Sequence, residues 1–469
     1  MKRRLRVYKK TVSIVNETAT GMYESLVGDK KGFLLESYDK NYDRYTFFGK
    51  EPEEIISSRG NALVITKNDG TQEVRNGNPL ERLKEYYSEF DIVKDNEELS
   101  FSGGLVGNLG YDFVRYAEVL PDNNPDEIEI ETVQMMLMTK FIMVDHVAET
   151  LTGIILGEDT PEGRKKSLEE AEELIRQALA NKGRAPEKNF THDGVIVNQS
   201  DSLEQYSQKV EKIKEYIREG HIFQTVLSQR WTIETKQSGF ELYKELRELN
   251  PSPYLYYFNY GDFEVIGSSP EMIVKQQGNR VYTCPIAGTR KRGADAEEDA
   301  LLRDELLQDE KERAEHVMLV DLARNDMGRI SEFGTVKVTQ FMEVQNYSHV
   351  MHIVSMVEGR KKGEFHPLDL VSSFLPAGTL SGAPKIRAME IIDELESVRR
   401  GLYGGATGYI DFSGDMDFCI TIRTMIKKGN HVYLQAGAGI VADSVPENEY
   451  QECCNKVMAL AKTLLHYIH

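Results

Sequence analysis

The sequence predicts an α/β protein of the α+β type, built on large antiparallel β-sheets with helices on the outside. Three observations carry that reading. Residues 1–157 are rich in period-two apolar runs broken by Gly, Asn and Asp, among them GFLLES, RYTFFG, NALVITKNDGTQEV and TVQMMLMTKFIMVDHVAETLTGIIL; such alternation in short runs marks antiparallel strands. Charged segments with apolar residues at helical spacing recur along the chain. The last third alternates helical text with the glycine-rich strands YGGATGYIDFSG, FCITIRTMI and VYLQAGAGIV.

The elements follow in order. After the strand-rich opening, TPEGRKKSLEEAEELIRQALANKG reads as a helix ending on Gly183, and RAPEKNFTHDG, which has no periodicity, reads as a linker. A boundary near residue 190 therefore separates an N-terminal region, 1–190, from a second region, 191–469. DSLEQYSQKVEKIKEYIREG opens on Asp and Ser cap residues and closes on Gly220, a well-punctuated helix. HIFQTVLSQRWTIE is a strand. LYKELRELNPSPYLYYFNYGDFEVIGSSPE is a helix, a turn and a hairpin-like pair. EEDALLRDELLQDEKERAEHVMLVDLARNDMGRI is one or two helices, KIRAMEIIDELES another, and PENEYQECCNKVMALAKTLLHY the last.

The bulk numbers narrow the function. A chain of 469 residues supports two or three domains or one elaborated catalytic domain. Its net charge of −19 repels nucleic acid and anionic membranes, so an anionic substrate needs a local basic or metal site. Four cysteines without C-x-x-C spacing imply reduced thiols. The basic MKRRLRVYKK lacks a signal-like apolar core and no window reaches the roughly 18 apolar residues of a spanning helix, so the expected compartment is the cytoplasm.

Several groups of residues could carry chemistry. Glu312 with Glu315, and Glu449 with Glu452, are pairs three apart on predicted helices, so each pair projects its carboxylates from one face. Two such faces turned to one cleft would suit a hard divalent cation, although each alone reads equally as a solvated helix face. Arg423 interrupts an apolar β run and needs a partner, either a substrate carboxylate or an internal acid. Lys456, four residues after Glu452, is an i,i+4 partner or a second carboxylate anchor. The opening of AGT, together with GLYGGATG and AGAGIV, offers backbone N–H groups that an anion can approach closely. In PIAGTRKRG, Arg290, Lys291 and Arg292 either hold an anion or form a solvated basic loop. His352, with His349 three residues before it, has no cysteine or third histidine nearby in sequence, so zinc is discounted. No P-loop or dinucleotide turn is present.

LLES, NPSPY, FQTVLSQR, GSSPE, PIAGTRKRG, DEKERAEHVMLVDLARND, HVMHIVS, FLPAGTLSGAPK, GLYGGATGY, ITIRT and QAGAGIVADSVPENEYQE together closely resemble the chorismate-utilising enzymes, and within them the component I subunits of anthranilate synthases. The resemblance spans nearly the whole chain and is dense after about residue 200. It implies sheets packed face to face in one chorismate-binding fold, with chorismate as substrate and one Mg2+ ion. Ammonia would add at ring carbon 2 as the 4-hydroxyl leaves, and pyruvate would then be eliminated. On matching positions, Glu315 and Glu452 would hold the metal, supported by Glu312 and Glu449. Gly288, Thr289, Tyr403, Arg423, Gly437, Ala438, Gly439 and Lys456 would surround the substrate. Glu271 is the expected proton donor, with its pKa raised, and His352 and Thr379 would lie near the reacting ring.

Two departures bear on the product. Para-aminating relatives typically have a nucleophilic lysine where Ala287 stands, and isochorismate-forming relatives a water-activating lysine where Gln224 stands. Neither residue here can do those jobs, which favours ammonia and the ortho product over aminodeoxychorismate. No cysteine sits in a glutaminase-like setting, so a separate glutamine amidotransferase subunit, and hence a hetero-oligomer, is implied. The resemblance also implies a tryptophan feedback site from Glu36, Ser37 and Arg44 with Asn250, Pro251, Ser252, Pro253, Tyr254 and Leu255. In that site the acid would meet the amino group and the turn would supply backbone contacts and a stacking surface.

Overall fold

The computed structural model describes residues 2–15, 17–37, 44–93, 99–180, 191–346 and 350–465. His349, Gly183 and most of the expected linker lie outside the described residues. Among those described, thirteen strands form one sheet and twelve a second, and nearly every pairing is antiparallel.

Both sheets draw strands from either side of residue 190. In the first, Gly32–Glu36 lies between Tyr45–Lys50 and Tyr254–Asn259, with Leu255 opposite Glu36. In the second, Ala406–Asp411 pairs with Gly104–Leu109. The sheets pack face to face over a core of Phe33, Phe47, Phe141, Tyr256 and Phe258 from one and Val106, Met136 and Met138 from the other. The outer face of the first sheet is covered by helices including Leu203–Arg218, Gly239–Leu249 and Pro446–Ala461, whose Tyr206, Leu242 and Val457 share one core. The outer face of the second carries Pro79–Tyr87, Glu310–Ile330 and Pro367–Phe374. The layers therefore run helix, sheet, sheet, helix, because each sheet must bury two apolar faces.

The helices begin where local chemistry dictates. Ser202 and Gln205 form a reciprocal capping box that satisfies two N–H groups at the start of Leu203–Arg218. The long acidic segment resolves into Ala296–Gln308 and Glu310–Ile330. Asp309 takes an extended backbone between them, and its carboxylate caps the second helix by accepting from the N–H groups of Lys311 and Glu312.

One expected element is divided. FCITIRTMI reads as a single strand, but Met416–Ile420 belongs to the second sheet and Thr424–Lys428 to the first. The chain crosses between the layers at residues 421–423, and Arg423 has a φ of 51°. Both strands are buried, so the apolar pattern continues through the crossing and conceals it. Among the described residues no helix is long and apolar enough to cross a membrane.

Candidate active site

A cavity of about 250 Å³ lies where both sheets meet the helices Glu310–Ile330 and Pro446–Ala461. Its wall contains Gln224, Glu271, Ala287, Thr289, Glu315, His352, Thr379, Tyr403, Arg423, Gly437, Gly439, Glu452 and Lys456. Residues scattered over more than 230 positions of sequence are thus gathered on one surface.

The strand His431–Ile440 supplies one wall. Gly437 and Gly439 alternate onto the cavity side, whereas Ala438 points the other way into the buried core, so only its backbone could serve a ligand. The lack of a side chain at Gly437 and Gly439 leaves the backbone open to the cavity. A Cβ on Gly439 would lie 2.6 Å from Gln224 Nε2, and one on Gly437 would lie 2.9 Å from Val226 Cγ1. The strand Ile286–Lys291 supplies the facing wall and bulges at Gly288, whose φ is 69°. The bulge turns the Gly288 carbonyl toward His352 Nδ1 at 2.9 Å, with Thr289 Oγ1 3.1 Å from the same nitrogen. A carbonyl can only accept, so the proton of the neutral ring sits on Nδ1. Burial lowers the His352 pKa, the Gly288 bond raises it and Arg423 lowers it further, leaving a net depression.

Glu271 is buried where the strand pair Glu264–Ser269 and Met272–Gln277 changes sheet. Burial pushes its carboxyl up to about 8, against smaller lowering effects of the Thr379 hydrogen bond and the Lys456 charge. Thr379 Oγ1 donates to Glu271 Oε1 at 3.1 Å. At neutral pH this group is a protonated acid at the cavity wall.

Among the described residues the Arg423 guanidinium makes no ion pair or side-chain hydrogen bond, and burial lowers its pKa. The nearby Tyr403 and Glu452 charges raise it, and a cation at the cavity wall with no hydrogen-bonded acid among the described residues is suited to receive an anion from the cavity. Tyr403 stands beside it, its hydroxyl 3.0 Å from where a Cβ on Gly437 would be. Lys456 donates to the Gly437 carbonyl at 2.8 Å and pairs with Glu452 at 2.6 Å.

Glu315 and Glu452 project into the cavity from two different helices, and Glu312 and Glu449 stand one turn back. Burial raises the Glu315 carboxyl and the charges of Glu312 and Glu452 raise it further, while Lys311 and Lys456 lower it, leaving a net rise. Burial likewise raises Glu449, offset by Ser444 and reinforced by Glu452. Among the described residues no three His, Cys, Asp or Glu side chains converge on one metal position. Two mutually repelling carboxylates at a cavity wall fit a cation whose remaining ligands are waters and substrate oxygens.

Both arginines of the basic run after Ala287 are paired within the chain. Arg290 pairs with Glu305 at 2.9 Å, Asp309 at 2.8 Å and Glu312 at 3.6 Å, and Arg292 pairs with Asp299. These arginines fasten the helices Ala296–Gln308 and Glu310–Ile330 to the strand and thereby position Glu312 and Glu315.

A second cavity of about 180 Å³ lies beside the first, sharing Pro270 and Ile286 as a common wall. It is lined by Glu36, Ser37, Pro253, Tyr254 and Leu255, and by Tyr409, Asp417, Lys275 and Cys284, which the sequence reading did not single out. Among the described residues the buried Ser37 hydroxyl has no hydrogen-bond partner. Glu36 accepts from Tyr243 and from Arg247 Nε at 3.0 Å, and Tyr254 donates to Asp417 at 2.9 Å. Arg44 is not brought in. It is held by Asp145 at 3.1 Å on the adjacent strand and lies outside the lining. Asn250, Pro251 and Ser252 also stay outside, and Asn250 instead bonds Ala459 of the last helix at 3.0 Å.

A buried ion pair, not evident from the sequence, braces the cavity. Arg400 pairs with Glu396 at 2.7 Å and donates to the carbonyls of Val226 and Leu380, while Glu396 accepts from the Ser228 N–H at 2.8 Å. The pair ties two cavity walls together. Its only sequence signal is a Glu and an Arg four apart, which is indistinguishable from a surface pair.

The chain is similar to known proteins over nearly its whole length. The family described as chorismate binding enzyme matches residues 33–462. The component 1 subunit of anthranilate synthase from Acetivibrio thermocellus is 44% identical over 458 residues, covering 96% of this chain and 93% of that one. The corresponding Bacillus subtilis protein is 42% identical over 448 residues, covering 92% and 87%. The crystal structure of anthranilate synthase component I from Streptococcus pneumoniae superposes with a TM-score of 0.78 at 38% identity, covering 89% of this chain and 92% of that one. The menaquinone-specific isochorismate synthase of Escherichia coli shares the fold, with a TM-score of 0.73 at 18% identity over 98% and 95% of the two chains.

Proposed function

Because the chain belongs to the chorismate-binding enzymes, we propose that it is the synthase subunit of an anthranilate synthase, converting chorismate and ammonia to anthranilate, pyruvate and water. The observation that carries this reading is the protonated Glu271 in one cavity with Arg423 and two cation-seeking carboxylates. Chorismate is a dianion, and these groups can meet both of its carboxylates. Arg423 and the backbone at Gly437–Gly439 would take the enolpyruvyl carboxylate. Glu315 and Glu452 would hold magnesium, which when bound neutralises the ring carboxylate and polarises the ring. Glu452 would leave Lys456 at least in part to do so.

Glu271 would give its proton to the departing 4-oxygen while ammonia bonds carbon 2. Thr379 aligns the carboxyl for that transfer. Neutral His352, held through Nδ1, presents Nε2 as an acceptor for a proton during amination or elimination. Ala287 at the wall excludes a covalent lysine route, and Gln224 excludes activation of water by a lysine at that position.

Ammonia would come from glutamine through a separate amidotransferase subunit. The second cavity would bind tryptophan: its Ser37 hydroxyl, unpaired among the described residues, and buried Glu36 meet an amino acid, and its aromatic wall meets the indole. The wall shared through Pro270 and Ile286 gives such binding a direct mechanical route to Glu271. Pyruvate release from chorismate, magnesium and an ammonium salt tests the reading. Turnover should require magnesium and fall with tryptophan; release indifferent to both would refute it.

A further inference from the structure

Behind Glu271 lies a third, smaller cavity of about 40 Å³. Glu271, Thr379 and Asp326 all line it, together with Leu319, Ala323 and Phe374. At roughly 10–15 Å³ per water, this space accepts a file of about three. Glu271 and Thr379 line the larger cavity as well, so this carboxyl faces both spaces. Asp326, on the helix Glu310–Ile330, is 6% exposed and accepts from Lys385 Nζ at 2.9 Å. Lys385 opens the helix Lys385–Leu395, and its side chain is 13% exposed, so the pair reaches from the small cavity toward the surface.

Two buried carboxyls on one small space whose other lining residues are mostly apolar are costly to maintain for packing alone. With chorismate in the larger cavity, substrate would cover that face of Glu271 and leave the smaller cavity as its other outlet. We propose that Asp326 and Lys385 form the relay through which Glu271 recovers its proton from solvent in each turnover. The inference rests on the reading of Glu271 as the acid.

The protons balance. Glu271 gives one to the departing oxygen and becomes a carboxylate. The nitrogen newly bonded to carbon 2 sheds one to solvent. Lys385 passes a proton to Asp326, which passes one through water to Glu271, and the Lys385 amine is recharged from solvent. Asp326 touches no substrate and acts through Glu271.

The test compares Asp326→Asn, Asp326→Glu, Ala323→Leu and Glu271→Gln in the full chain, assayed with chorismate, magnesium and ammonium. Asp326→Asn should lower kcat on the order of tenfold or more while the chorismate KM stays within about twofold. The solvent deuterium isotope effect on kcat should rise, because reprotonation becomes limiting. Asp326→Glu should restore most of the rate. Ala323→Leu fills the water space without removing a titratable group and should reproduce the slowed rate and the larger isotope effect. Unchanged kcat and isotope effect in both Asp326→Asn and Ala323→Leu, with Glu271→Gln impaired, would overturn the relay and leave the acid standing. A drop confined to Asp326→Asn, with a shifted KM and an unchanged isotope effect, would make Asp326 structural and also overturn it. Full activity in Glu271→Gln would remove the acid and the relay together.

Discussion

Replacing Glu271 by Gln keeps the shape of the side chain and its acceptor oxygen for Thr379 but removes its proton. The burial that raises this carboxyl from 4.5 to about 8 is also a statement about stability. Between those values the folded chain holds a proton that the unfolded chain has lost, so folding weakens as pH rises through the interval and is fully favoured below it. Each pH unit within it is worth about 1.4 kcal/mol, so between pH 5.5 and 8.5 the wild type should lose about 3 kcal/mol more than Glu271→Gln. Urea unfolding of both proteins at the two pH values measures that gap. In turnover the variant should lose on the order of 10²–10⁴-fold in kcat, and wild-type kcat/KM should decline above about pH 8 as the acid ionises. A stability gap that does not change with pH would show that Glu271 titrates as an ordinary carboxyl. A variant kcat near wild type would refute its role as the acid.

Arg423→Gln should raise the chorismate KM on the order of tenfold or more, since a charge-assisted bond is worth about 1.5–3 kcal/mol, with little change in unfolding by urea. A large loss of stability with normal KM would point to an internal acid as its partner. Glu315→Ala should abolish magnesium-dependent turnover and leave the metal-free chain at least as stable, because a buried carboxylate repelled by Glu312 and Glu452 is gone; a magnesium titration of activity and a thermal melt decide it. Arg400→Met should destabilise by about 3–5 kcal/mol by stranding Glu396, seen in urea unfolding at pH 7.

What was legible in the sequence follows from the range of the forces involved. Caps and helix faces are local, so the helices Leu203–Arg218 and Pro446–Ala461, and the projection of Glu452 with Lys456 from one face, could be read directly. The gathering of Glu271, His352 and Arg423 rested on resemblance, because no spacing reveals that three strand ends meet. Strand pairing is long-range, which is why the wall shared by Leu255 and Glu36 was foreseen only in fragments and Tyr409 and Asp417 were missed. Arg44 and Arg290 look in sequence like residues available to a ligand. Only the fold sets Asp145 beside one and Asp309 beside the other. The crossing at Arg423 was hidden because strands buried on both faces carry no alternation to break.

The position of the new amino group tests the account most directly. The purified chain, supplied with chorismate, magnesium and 15N-ammonium, should yield pyruvate and a ring product with the label ortho to the carboxylate, identified by NMR and chromatography. A para-labelled ring that retains its enolpyruvyl group, or an unlabelled isochorismate, would contradict the roles given to Ala287, Gln224 and Glu271.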